Sequence, residues 1–217
     1  MRALKFAALA AVALVAAVAT IAVAPREAEA RQVYQGGDLV KNCAAADICD
    51  AFLSGVFDAR GALITWTGAK HPICPPRPLT TAEIWPTVAT YLQRHPDQLP
   101  FYASSITLNA VQESYRCPAN ATVPAQVLDR VRDATELVSL CQNPALCQAF
   151  TIGVIDSHQA FADSKIIRPM VCMPDQAEIR DAMLTVITYV GQHPEALNFS
   201  AGSVALTALS LRYPCAR

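Results

Sequence analysis

The chain has 217 residues, of which 53% are hydrophobic and 16% charged, with a formal net charge of −1. That length suits one medium domain or two small ones. No block of like charge stands out, which argues against nucleic acid or an anionic membrane surface as the main partner.

In chain order, Arg2 and Lys5 precede a run of 19 residues, 6–24, without a charge. Ala28-Glu29-Ala30 follows as a small-x-small cleavage site. Basic start, apolar stretch and small-residue cut are the layout of a secretory signal, so 1–30 is read as a signal peptide. The apolar run is long enough to span a bilayer, and an uncleaved anchor is the rival reading. Either way the positive end stays inside and residues from about Arg31 onward are exported. Membrane contact is expected only through an uncleaved signal segment. Taking away Arg2, Lys5, Arg26, Glu27 and Glu29 leaves 14 basic and 16 acidic residues, still nearly neutral.

The eight cysteines are Cys43, Cys49, Cys74, Cys117, Cys141, Cys147, Cys172 and Cys215. An even count behind an export signal reads as disulfides in an oxidising compartment. The last four repeat the first four at an offset of 98, and the register runs without a gap between 39–117 and 137–215. Those 79 positions hold 26 identities, which marks an internal duplication. The chain divides into a first unit at 36–118, a linker at 119–132 and a second unit at 133–217.

Each unit reads as all-α, with about four helices. Ile48, Phe52 and Val56 step along one helix face, matched by Leu146, Phe150 and Val154. A later helix carries Ile84, Val88, Tyr91 and Leu92, with Ile179, Met183, Val186 and Val190 in unit two. Pro86 conflicts with it, and the helix is expected to begin late or bend there. "HPDQL" and "HPEAL" then interrupt, placing Pro96 and Pro194 at a first helical position beside an acid. The last helix runs through Leu99, Ala103, Ile106 and Ala110, and through Leu197, Ala201, Val204 and Ala208. Residues 125–141 suggest a longer first helix in unit two.

Units this small need staples. Four cysteines allow three connectivities. The preferred one is nested, Cys43–Cys117 with Cys49–Cys74 and Cys141–Cys215 with Cys147–Cys172, each pair closed within its unit.

Each unit thus carries Cys-x5-Cys, then "AFLSGVFD" or "AFTIGVID". It continues with "CPP" or "CMP", "YLQRHPDQL" or "YVGQHPEAL", and "SYRC" or "RYPC". This ordered set resembles the resistance-associated/type VI amidase immunity (Rap/Tai) family, and covers most of the exported chain. The resemblance implies a small exported helical disulfide-bonded protein of the bacterial periplasm. It further implies that the chain binds and inhibits a peptidoglycan amidase toxin delivered by type VI secretion. The chain departs from the family members with a single domain in carrying two.

No HExxH, Gly-rich phosphate loop or GxSxG is present. Zinc is disfavoured by the Cys-x5-Cys spacing. No cofactor or metal is expected, and no enzymatic activity. Gly55, Asp58, His95 and Pro96, repeated as Gly153, Asp156, His193 and Pro194, read as structural motif residues. Asp58 lies about 160° around the helix from Val56, taking ~3.6 residues per turn, so it need not be buried. It is expected to hydrogen-bond a backbone N–H or a nearby basic residue.

The segments 59–73 and 157–171 share one identity, Ala62 with Ala160, between well-matched flanks. Differing loops on a common frame suit recognition. Trp66, Lys70, His71, His158, Lys165 and Arg168 are therefore the partner-binding candidates, Trp66 as an anchor. The competing readings are an envelope structural module without a toxin partner, and a hydrolase using His158 with Asp156 or the pair His95 and His193. A homo-oligomer is left open.

Overall fold

The computed structural model describes residues 34–122, 124 and 126–216. The apolar run and the cleavage site lie outside the described residues. Among the described residues, no helix is long and apolar enough to cross a membrane.

The first unit contains α1 (Gly36–Asn42), α2 (Ala46–Thr67), α3 (Thr81–Arg94) and α4 (Ala103–Ser114). The second contains α5 (Ala134–Leu140), α6 (Pro144–Asp163), α7 (Ile179–Gln192) and α8 (Ala201–Arg212). Every helix of unit two starts 98 residues after its counterpart, so the duplication holds at the level of the fold. The described residues contain isolated bridges and no strand.

Local chemistry sets the helix ends. Thr80 and Glu83 form a reciprocal capping box, so α3 starts at Thr81 and not late. The helix therefore carries Pro86 in its interior, with the cap opposing the lost backbone bond. Gly68, at φ 67°, ends α2 in the left-handed conformation that costs glycine least. Asn143 caps α6 through its side chain, with Pro144 at the first position. Pro96 and Pro194 open short 3₁₀ turns, not the last helices, and α4 and α8 begin only at Ala103 and Ala201. The expected long first helix of unit two is also absent. Residues 127–129 pair with Leu79, by Leu79 N–H to the Val127 carbonyl and Asp129 N–H to the Leu79 carbonyl, both 2.8 Å. This extended segment buries Val127 and Leu128, and α5 starts only at Ala134.

The disulfides are Cys43–Cys49, Cys74–Cys117, Cys141–Cys147 and Cys172–Cys215. The nested pairing is overturned, although every bond stays within its unit. Cys43 caps α1 and Cys49 lies in the first turns of α2, so a tight corner brings their Cα atoms to 4.4 Å. Cys74 N–H donates to the Tyr115 carbonyl at 2.8 Å, and Ile73 bridges Arg116 antiparallel, which lays Cys74 against Cys117. Unit two repeats this with Cys172 N–H to the Tyr213 carbonyl.

The units are covalently separate in their disulfides but not separately packed. α2 packs most extensively on α6, α2 also meets α8, and α6 meets α4. One continuous hydrophobic cluster includes Phe52, Leu53 and Val56 with Phe150, Ile152 and Val154. Each such side chain contributes roughly 1.5–3 kcal/mol by leaving water.

Candidate functional site

The seam between α2 and α6 is set by two glycines. A Cβ on Gly55 would lie 2.2 Å from the Phe150 carbonyl oxygen, and one on Gly153 would lie 2.3 Å from that of Phe52. Each helix thus touches the backbone of the other at the same repeat position. The contact is reciprocal, as about a pseudo-two-fold axis. α8 crosses α2 just as closely, since a Cβ on Gly202 would lie 2.4 Å from the Asp58 carbonyl carbon.

Packing on several sides buries α2 around most of its circumference, and Asp58 and Asp156 with it, at 3% and 0% exposed. A backbone N–H lies beside each carboxylate, that of Arg132 at Asp58 and that of Tyr34 at Asp156, although among the described residues neither meets a carboxylate oxygen with the geometry of a full hydrogen bond. Burial pushes Asp58 up to about 7, while the nearby backbone N–H and charge of Arg132 pull it partway back. Burial raises Asp156 well above the usual carboxylate range, opposed by the Tyr34 backbone. Tyr34 and Arg132 are themselves repeat counterparts, so each acid faces the segment that leads into the other unit.

Beyond the acids, both central helices are polar and buried at one further shared repeat position, 60 in unit one and 158 in unit two. Arg60 is fully buried and donates from Nη2 to the His71 carbonyl at 2.7 Å and from Nη1 to the Pro124 carbonyl at 3.2 Å. Its counterpart His158 accepts from Met170 N–H at 3.0 Å and Val171 N–H at 3.3 Å through Nε2. Both side chains tie down the segment that follows their helix. Burial holds the His158 ring down to about 4, and burial and the Arg60 charge do the same for His71. Both rings are therefore neutral near pH 7, and His158 Nε2 is the free acceptor its two bonds require.

These contacts correct the sequence reading of 59–73 and 157–171. Much of each segment is helix, not loop. His71 and His158 are buried and present no surface to a partner. His71 stacks on Phe161 of the other unit, ring centroids 5.0 Å apart. Trp66 stays 45% exposed at the end of α2, and Lys70, Lys165 and Arg168 are exposed. The sequence reading missed Arg60. Its signal was its alignment with His158, a polar residue at the same place in two apolar helices.

No catalytic geometry assembles around the sequence candidates. His158 uses its Nε2 on backbone N–H groups, and Asp156 is fully buried beside the Tyr34 backbone. His95 packs on Tyr91 at 4.4 Å and His193 on Tyr189 at 4.3 Å, a repeated ring contact at the ends of α3 and α7. Among the described residues, no group of three or more His, Cys, Asp or Glu could hold a metal ion. A cavity of about 270 Å³ between α2, residues 126–128 and the start of α8 is lined by Phe57, Asp58, Thr65, Gln126, Leu128 and Ser203, among others.

The model of a family described as Rap1a immunity proteins matches residues 35–117 and again 133–215. No curated protein and no solved structure matches the chain.

Proposed function

The chain belongs to the family of Rap1a immunity proteins, carrying its domain twice, and from that premise we propose that it is an exported immunity protein. It would bind a peptidoglycan amidase toxin of type VI secretion and block it by stoichiometric complex formation in the periplasm. The observation that carries this reading is the family match over both halves of the chain. Four disulfides, with no free cysteine among the described residues, support an oxidising compartment reached by export. The burial of Asp156, His71 and His158 supports binding over hydrolysis, because these groups are shielded from a substrate.

Trp66, Lys70, Lys165 and Arg168 are the sequence candidates that stay accessible in the segment that differs between the copies. On this reading they select the partner. Titration of the exported form into a purified amidase toxin on peptidoglycan tests it. Inhibition should saturate at a fixed ratio without turnover, and Trp66→Ala should weaken binding about tenfold or more. Undiminished cleavage at excess protein sinks the proposal, as does cleavage by the chain alone.

A further inference from the structure

Large apolar residues that stay exposed at the same place in both copies need an explanation that packing does not supply. Val40, Leu99, Phe101 and Tyr102 are exposed in unit one, Phe101 at 55%. In unit two, Val138 and Phe199 are exposed, Phe199 at 61%, and Leu197 is half-buried. Val40 with Val138, Leu99 with Leu197 and Phe101 with Phe199 are all identities of the repeat, in a chain whose copies differ at two positions in three.

Backbone contacts gather these residues into one patch per unit. Gly36 N–H donates to the Phe101 carbonyl at 3.0 Å and Gly37 N–H to the Leu99 carbonyl at 3.2 Å. Val40 follows Gly36 by one turn, on the same side of α1. In unit two, Ala134 N–H donates to the Phe199 carbonyl at 3.0 Å, and Val138 follows one turn later on α5. Beside each patch, the 3₁₀ turn after His-Pro carries an exposed carboxylate, Asp97 or Glu195. An apolar surface with an acid on its rim fits an apolar knob flanked by a basic side chain.

We propose that the surface joining α1 to Phe101 and the surface joining α5 to Phe199 are twin docking patches. Each takes one copy of a protein partner that presents an apolar knob beside Lys or Arg, so one chain holds two partners. This rests on the binding-protein reading above. The repeated patches supply the shared contact, while Trp66 and the other unrepeated residues supply what differs between the two seats.

The test places a photo-crosslinking benzoylphenylalanine at position 101, at 199, at both, and at exposed Gln93 as control, in the full chain exported by its cells. Adducts are weighed and identified by mass spectrometry. The expected result is the same protein at 101 and at 199, two copies on the doubly labelled chain and none at 93. Phe101→Asp or Phe199→Asp should reduce two bound copies to one with an unchanged helical circular dichroism spectrum, and the double variant should bind none. No adduct above the level at 93, different proteins at the two positions, a single copy, or a second copy of this chain overturns the proposal. Two copies of a partner that is not an amidase keep the twin patches and defeat the amidase reading. An amidase bound in one copy, indifferent to both substitutions, does the reverse.

Discussion

Position 60 in unit one and position 158 in unit two do one job with opposite chemistry. Arg60 donates to backbone carbonyls, and His158 accepts from backbone N–H groups. The segments they hold differ almost completely in sequence, yet both are fixed from inside a buried helix. A position can therefore drift in identity while its role is kept, provided the polarity of the backbone it meets changes with it. The outer pieces of the units can diverge because the seam at Gly55 and Gly153 cannot.

The sharpest way to break the comparison is to separate its halves. A fragment ending at residue 120 should show no cooperative thermal unfolding, because it exposes the face of α2 that packs on α6 and α8. A fragment with a sharp transition and native helical content would show that the seam is dispensable. The disulfides come next. On the chain-entropy relation, removing Cys74–Cys117, which closes 43 residues, should cost about 4 kcal/mol. Removing Cys43–Cys49, which closes 6, should cost about 2 kcal/mol. Denaturant unfolding of the two double-serine variants measures both, and the same order should hold for Cys172–Cys215 over Cys141–Cys147.

Asp58→Asn should be more stable than the parent at pH 8, by the order of 2–4 kcal/mol, and gain nothing near pH 4. The folded state holds its proton up to about 7, whereas the unfolded chain releases it near 3.8. The carboxyl thus draws stability out of the fold as pH rises between those values, and the loss is complete above about 7. Melting temperature against pH reads the difference, and a gain independent of pH would contradict the cause given. Position 158 acts only in acid. His158→Gln should remove about half of the stability that the two buried histidines lose on acidification. Their folded values near 4 lie below the ordinary 6.5, so the unfolded chain takes up protons first as pH falls through that window. An acid slope unchanged by His158→Gln would mean that the ring does not titrate as its contacts require.

The sequence by itself determined the duplication, the all-α class and the apolar stripes of α2, α3, α6 and α7. Those follow from spacing and periodicity, which are properties of neighbouring residues. Repetition also marked Gly55, Asp58 and His95 as structural without saying what they touch. Cysteine pairing, the burial of Asp58 and the loss of His71 and His158 as surface residues were decided only by tertiary structure. A single helix face predicts one buried side, and α2 packs on several. Adjacent Phe52 and Leu53, and adjacent Val56 and Phe57, were the one local hint that this helix is apolar nearly all round. What covers those faces comes from residues about a hundred positions away, and periodicity within one helix carries no record of them.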